Sequence, residues 1–302
     1  MSASTLAIAP PQTAVLSRVR DYIELTKPKI AVLELVVVLA AGVVATWGQP
    51  SPMPLVHAMV GTLLVAASAS AANQYLERRR DARMPRTASR PLPAARIAPW
   101  EAFTFSALTL AAGMTYIACL VNLPCLVWAG MTWAVYVLAY TPLKPVSCLN
   151  TAVGAIAGAL PVLIGWSAAG QRIDERAIAL FLVLFLWQFP HFMAIAWLYR
   201  EQYARAGHKM LTVIDPTGRR AGRQAVLAAL ALVPVSILPV LASPGGGSVL
   251  YAVLAVALGL AQLALAVAFW KAATDWTARL LLRASLVYLP TLLIMLMLVP
   301  WL

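Results

Sequence analysis

Asn73, Glu77 and Asp81 recur at steps of four in the stretch Asn73-Gln-Tyr-Leu-Glu77-Arg-Arg-Arg-Asp81-Ala-Arg83-Met84-Pro-Arg86-Thr87. On a helix this spacing puts all three close to one face, a turn apart. Two carboxylates and an amide stacked in this way suit a hard divalent cation, which wants oxygen ligands. The arginines beside them suit the free phosphate oxygens of a ligand already bridged by that cation. The stretch begins where a long apolar run ends, at the expected edge of a membrane. Together these features point to a lipid diphosphate. The plainer reading is a helix end whose Asp81 pairs with nearby arginines, since juxtamembrane arginines are common. That reading leaves Asn73 and Glu77 unexplained, because polar groups at the edge of a bundle are unfavourable unless they face a cavity or a partner.

A second group lies within an apolar segment, Trp187-Gln188-Phe189-Pro190-His191-Phe192. Gln188 and His191 share a helix face, and Pro190 frees a backbone carbonyl beside them. A histidine in such a place serves as a proton carrier, a haem contact or a hydrogen-bonded packing residue. Immediately after come Tyr199-Arg200-Glu201-Gln202-Tyr203, which repeat the combination of acid, arginine and aromatic. A third group is Tyr140-Thr141-Pro142-Leu143-Lys144, whose lysine is either a membrane anchor or a phosphate contact. The small residues Gly154, Gly158, Pro161 and Gly165 that follow let helices approach closely, which accounts for the glycines without a functional role. His57 is assigned none.

These groups need elements to hold them, and composition says which. Hydrophobic residues make up 62% of the 302 and charged residues 11%, against about a quarter charged in a soluble domain. The expected fold is all-α: a polytopic membrane bundle of about nine transmembrane helices. Apolar segments fall near 30–47, 54–74, 102–121, 123–141, 149–169, 176–198, 224–243, 247–270 and 282–300. Residues 26–302 read as one membrane domain, and residues 1–25 as a disordered cytoplasmic tail without the pattern of a signal peptide. The net charge of +12 is no nucleic-acid signal, because the basic residues sit in short loops between apolar segments. Loops after the second and sixth segments are long and basic, whereas Gly48–Met53 and Ser243–Ser248 are nearly uncharged. Positive-inside bias then puts the amino terminus in the cytoplasm and the carboxyl terminus outside. Cys119, Cys125 and Cys148 form no CxxC pair and read as structural thiols.

Taken together, Asn-x3-acid-x3-Asp-x2-Met-x-Arg-Thr, Tyr-Thr-Pro-Leu-Lys, Trp-Gln-x-Pro-His-Phe and Tyr-x2-Ala-Gly-x2-Met-Leu resemble the protohaem IX farnesyltransferases (haem O synthases). These belong to the UbiA-type intramembrane prenyltransferases. The resemblance runs from about Thr26 to the final helix. The first motif is shared across that superfamily, and the histidine segment is more specific to the haem branch. What it implies is a nine-helix bundle in the plasma (inner) membrane, with a cytoplasmic-side site for Mg²⁺ and farnesyl diphosphate. A farnesyl group would pass to a vinyl group of haem b, giving haem O for terminal oxidases, with haem A synthase or an oxidase assembly as partners.

Carried over residue by residue, the resemblance implies Asn73, Glu77 and Asp81 as the first metal motif and Lys144 as a diphosphate contact. His191 becomes the branch-specific histidine. Substrate contacts are expected from Arg83, Arg86, Thr87, Arg90, Gln188, Tyr199, Arg200 and Tyr203. Four positions depart from the family pattern. Glu77 replaces its usual Asp, and a further acid often found between the two falls on Arg79. The Asp before Tyr in the second motif falls on Gln202, and Pro145 stands where a second basic residue often follows the lysine. Either Glu201 takes the second metal position or the chain is a divergent member. Two rival readings stand beside this one: the same fold with another acceptor, such as an aromatic acid for quinone synthesis, and a non-catalytic haem-handling or transport protein.

Overall fold

The computed structural model describes residues 11–241 and 246–302. Residues 1–10 of the expected tail, and 242–245 at the start of the Ser243–Ser248 loop, lie outside the described residues. Among the described residues nine helices are long and apolar enough to cross a membrane, and there is no strand. The bundle is that of a multi-pass membrane protein. After α1 (Pro11–Leu25), the membrane-length helices are α2 (Pro28–Ala45), α3 (Pro52–Asp81), α4 (Pro99–Leu120), α5 (Leu123–Leu143), α6 (Asn150–Ala168) and α7 (Glu175–Leu198). Two short helices, α8 (Arg200–Arg205) and α9 (Leu211–Ile214), precede α10 (Arg219–Leu241), α11 (Gly246–Lys271) and α12 (Asp275–Trp301).

Local chemistry sets the boundaries. Proline opens α2, α3, α4 and α5, where a missing N–H is harmless and the fixed φ suits a first turn. Asn122, Asp174 and Thr274 cap α5, α7 and α12 with side-chain oxygens. The Thr274 cap starts α12 seven residues before the apolar segment expected at 282. α3 runs on to Asp81 through good helix formers, so the whole Asn73–Asp81 motif rides one uninterrupted helix. At 30 residues it is about 45 Å long, more than the hydrocarbon slab needs, and its last turns stand proud of the slab.

Two irregularities shape the interior. Residues Val135–Tyr140 of α5 form a π-helical turn, closed by the Thr141 hydroxyl donating to the Tyr136 carbonyl at 2.8 Å. Such turns place side chains that a regular helix would rotate away. α6 is interrupted at Leu160, ahead of Pro161.

The main core joins α2, α6, α7 and α12 through Val37, Val44, Trp166, Leu180, Tyr288 and Leu292. α2 and α6 touch backbone to backbone at Gly165, where an added Cβ would lie 2.1 Å from the Val38 carbonyl oxygen. Apolar side chains such as Leu108 on α4 and Leu138 on α5 face outward, as lipid-facing surfaces require.

One expectation needs correcting. Residues 11–25 of the supposed disordered tail form α1, and it is tied down. Arg96 of the α3–α4 loop pairs with Asp21 and, at 2.7 Å, with Glu24, while Gln74 donates to the Leu25 carbonyl at 2.8 Å. Leu25 is buried against Ala71, Leu92 and Ile97. Val15, Leu16, Val19 and Ile23 fall at helical spacing but stay exposed, and the groups that tie α1 down lie in distant segments.

Candidate active site

Asn73, Glu77 and Asp81 are buried at one end of the bundle, on the face of α3 that looks inward. Asn73 is a junction: its Oδ1 accepts from Lys27 Nζ at 2.7 Å, and its Nδ2 donates to Glu77 Oε2 at 2.9 Å and Thr141 Oγ1 at 3.0 Å. Lys144 Nζ donates to the same Glu77 Oε2 at 2.9 Å. Arg90, from the loop after α3, holds Asp81 Oδ2 at 2.8 Å. The remaining oxygen of Glu77, Oε1, is buried and has no partner among the described residues. Three cations from three segments thus converge on two acids and an amide, a surplus of positive charge suited to a polyanion.

Electrostatics follow the geometry. Burial pulls the Lys27 ammonium down to about 7, and the Arg90 and Lys144 cations add to this against the opposing Glu77 and Asp81. Burial acts on Lys144 in the same sense, yet Tyr140 and Glu77 outweigh it and hold that ammonium well above its ordinary value. Lys144 Nζ also lies 4.6 Å from the centre of the Tyr140 ring.

The second long loop closes over this group. The Lys209 N–H donates to the Lys144 carbonyl at 2.7 Å, and Asn150 Nδ2 reaches the Lys209 carbonyl at 3.2 Å. His208 is buried beside them, stacked edge-on against Tyr203. Burial first, and then Lys144, Arg80 and Arg86 against the opposing Glu77, push its imidazole down to about 4. Arg86 fastens the two loops together. Its guanidinium lies 4.4 Å from the Tyr199 ring centre and 5.4 Å from that of Tyr203, and it donates to the Tyr203 hydroxyl at 3.1 Å.

Beneath this mouth lies a cavity of about 400 Å³ walled by α2, α3, α5, α6, α7 and α12. Tyr136, Tyr140, Gln188 and His191 line it among apolar side chains. Gln188 Nε2 donates to the Ala155 and Leu184 carbonyls at 2.9 and 3.2 Å. Gly158 makes room for that carboxamide: a Cβ there would fall 2.3 Å from Gln188 Oε1. His191 stacks on Trp187 and contacts Ser285 Oγ through Nδ1 at 2.9 Å. The Ser285 hydroxyl donates to the Leu282 carbonyl, so it accepts from His191 Nδ1–H, leaving Nε2 as the acceptor nitrogen. A separate groove of about 610 Å³ lies between α7 and α10, lined by Phe185, Leu186 and Phe189 on another face of α7.

A cation-rich mouth over a mainly apolar cavity suits a ligand with a polyanionic head and an apolar tail. The pattern of the UbiA prenyltransferase family matches residues 35–299. The chain belongs to that family. Within it, the chain is 44% identical to the protoheme IX farnesyltransferase of Rhodopirellula baltica, over 90% of this chain and 97% of that protein. It is 41% identical to the protoheme IX farnesyltransferase of Solibacter usitatus, over 90% and 95%. The fold matches that of a UbiA homolog from Archaeoglobus fulgidus solved with GPP and Mg²⁺. There the TM-score is 0.70 and the identity 17%, over 93% of this chain and all of that one. The chain is thus a membrane prenyltransferase of the protohaem IX farnesyltransferase branch.

Set out on this UbiA fold, the expected site residues fall into groups. Asn73, Glu77, Asp81, Lys144 and Arg90 come together at the mouth, with Arg86, Tyr199 and Tyr203 at its rim. Gln188 and His191 line the cavity. Thr87 spends its hydroxyl on the Asp81 carbonyl at 2.8 Å and fixes the turn after α3. Arg200 turns away, bonding the Trp197 carbonyl at 2.8 Å and Asp275 at 3.0 Å. Arg83 is exposed. Glu201 is exposed and forms no hydrogen bond or ion pair among the described residues, while its neighbour Gln202 accepts from the Arg86 N–H at 3.4 Å. No group of three or more His, Cys, Asp or Glu suited to a metal forms among the described residues.

Lys27, Thr141 and His208 belong to the mouth and were missed as site residues. Lys27 is one of two lysines just ahead of the first apolar segment, and His208 fills a variable position of Tyr-x2-Ala-Gly-x2-Met-Leu, so neither stands out locally.

Proposed function

We propose that the chain transfers the farnesyl group of farnesyl diphosphate to a vinyl group of protohaem IX, giving haem O. The observation that carries this reading is a single cavity with the cationic mouth above it and His191 in its wall. The names of the relatives support haem as the acceptor.

Lys27, Lys144 and Arg90 receive the diphosphate and stabilise the charge that gathers on it as the allylic C–O bond breaks. Arg86 and the Tyr199 and Tyr203 rings border that mouth and orient the ligand. The apolar walls keep water from the allylic cation until the vinyl group meets it. His191 presents Nε2 to the haem, and Gln188 fixes the wall beside it.

Asn73, Glu77 and Asp81 would hold Mg²⁺. They fit: all carry oxygen ligands, and Glu77 Oε1 is a buried oxygen without a partner among the described residues. Mg²⁺ is commonly bound by one or two carboxylates together with substrate phosphates, so a larger acidic cluster is not required. Glu201, exposed on the second loop, would serve the second metal position, where Gln202 supplies no carboxylate. When bound, the ion neutralises diphosphate charge.

The positive-inside pattern supports a plasma (inner) membrane orientation with the amino terminus and the mouth in the cytoplasm. The product would pass to haem A synthase or a terminal oxidase assembly. Co-expression with a haem source, followed by extraction and mass measurement of the haems, tests the reading. Haem O is expected. Unmodified haem b together with a prenylated aromatic acid would favour the quinone-type acceptor.

A further inference from the structure

We propose that Glu34 is the base that deprotonates the water completing the reaction. This rests on the haem-farnesylating reading, because a product that carries a hydroxyl requires water to be added.

Glu34 lies on α2 within the set Ile30, Leu33, Glu34 and Val37, whose i, i+3, i+4, i+7 spacing is one helix face, and that face lines the cavity. It stands seven residues past Lys27, about 10 Å further along the axis, and so lies below the mouth. It forms no hydrogen bond or ion pair among the described residues, and no charged side chain acts on it. An acid within a membrane span is unfavourable unless it faces a cavity, a partner or a substrate path. The plain alternative, an acid turned toward lipid, does not match a face that walls the reaction chamber.

The Ser70, Tyr136 and Tyr140 hydroxyls that also line the cavity are too weakly basic to take a proton from water, and the stronger candidates there are committed. Gln188 is bonded to two carbonyls, and Trp133 Nε1 donates to Ser68 at 3.0 Å. His191 gives Nδ1–H to Ser285 and has Nε2 for the acceptor. Glu77 and Asp81 are bound to cations at the mouth. Glu34 is the cavity carboxylate with both oxygens unengaged, and taking up a proton breaks no ion pair.

The step balances without any redox partner. The allylic C–O bond breaks, with its electron pair leaving on the diphosphate. The terminal vinyl carbon then bonds to the farnesyl carbon, and positive charge moves to the vinyl carbon next to the porphyrin ring. A water oxygen bonds to that carbon. One O–H bond of the water breaks, its electrons stay on oxygen, and the proton passes to a Glu34 oxygen. The product is the hydroxylated haem, and Glu34 later returns its proton to solvent. When Glu34 cannot take the proton of water, the same cation instead passes a proton from the adjacent CH₂ to the departed diphosphate, and the C–H electrons form the double bond of an alkene lighter by one water.

The test uses the full-length protein with farnesyl diphosphate, haem b and Mg²⁺ in heavy-oxygen water, and reads product masses. The parent is expected to give haem O carrying one heavy oxygen. Glu34→Gln should lower haem O formation by about a hundredfold while haem is still consumed, with the alkene as main product. Glu34→Asp should recover part of the hydroxylated product. Labelled haem O at the parental rate from both Glu34→Gln and Glu34→Ala would overturn the proposal. Loss of prenyl diphosphate and haem binding in Glu34→Gln and Glu34→Asp alike would also overturn it, because Glu34 would then be a packing residue. A parent that makes no haem O would refute instead the functional reading beneath it.

Discussion

Lys144 donates to Glu77 Oε2 at 2.9 Å, and this buried pair joins the end of α5 to the last turns of α3. The second loop rests on the same lysine through the Lys209 N–H. The pair therefore holds the two walls of the mouth at a fixed distance. It also engages one oxygen of Glu77 and leaves Oε1 without a partner among the described residues.

Removing either acid should disable the mouth without unfolding the bundle. Glu77→Gln and Asp81→Asn are each expected to lower turnover by about a hundredfold or more. Membrane insertion and melting in detergent should stay near the parent, because each amide keeps the shape of the carboxylate and an oxygen that still accepts from Lys144 or Arg90. Lys144→Met is different, because it leaves Glu77 buried without its cation, and a loss of about 3 kcal/mol in stability is expected. Melting measured beside turnover separates the two kinds of variant.

The second loop provides a test of metal supply. Gln202→Asp places a carboxylate where an amide now meets the Arg86 N–H, and activity should saturate at lower Mg²⁺. Glu201→Gln should need more Mg²⁺ than the parent. Identical Mg²⁺ titrations for Glu201→Gln and parent would remove Glu201 from the metal site.

His191 separates the acceptor from the donor. His191→Ala should weaken haem binding or turnover while farnesyl diphosphate affinity stays within about twofold of the parent, since the imidazole is in the cavity wall and away from the cationic mouth. Binding of each substrate, measured separately, decides it.

His208 gives a pH dependence with a defined sign. Its ordinary value of 6.5 falls to about 4 in the folded chain. Between these values the unfolded chain binds more protons, so folded stability declines as pH drops through that window. The decline should amount to roughly 1–2 kcal/mol once solvent screening is allowed for. His208→Asn should flatten it, which melting curves between the two pH limits would detect.

The membrane helices were legible because long apolar runs and proline starts are local signals, and the nine expected segments correspond to α2–α7 and α10–α12. The α3 motif was legible for the same reason, its register being fixed by steps of four on one helix. What escaped depends on contacts between distant segments. Nothing local distinguishes Lys27, which meets Asn73 across 46 positions, from an anchor lysine. His208 gains its place from the way the second loop folds over Lys144. Arg200 misled in the other direction: it repeats the composition of the first loop, yet pairs with Asp275 at the start of α12. α1 escaped because ion pairs to Arg96, more than an apolar stripe, hold it.

The central claim is that this chain carries farnesyl from diphosphate to haem. Its most direct test is purified protein incubated with farnesyl diphosphate, haem b and Mg²⁺, with the extracted haems weighed by mass spectrometry. The account predicts haem O that appears with Mg²⁺, is lost on chelation, and is nearly absent with Asp81→Asn. Haem b recovered unchanged from a folded protein that binds both substrates would contradict it.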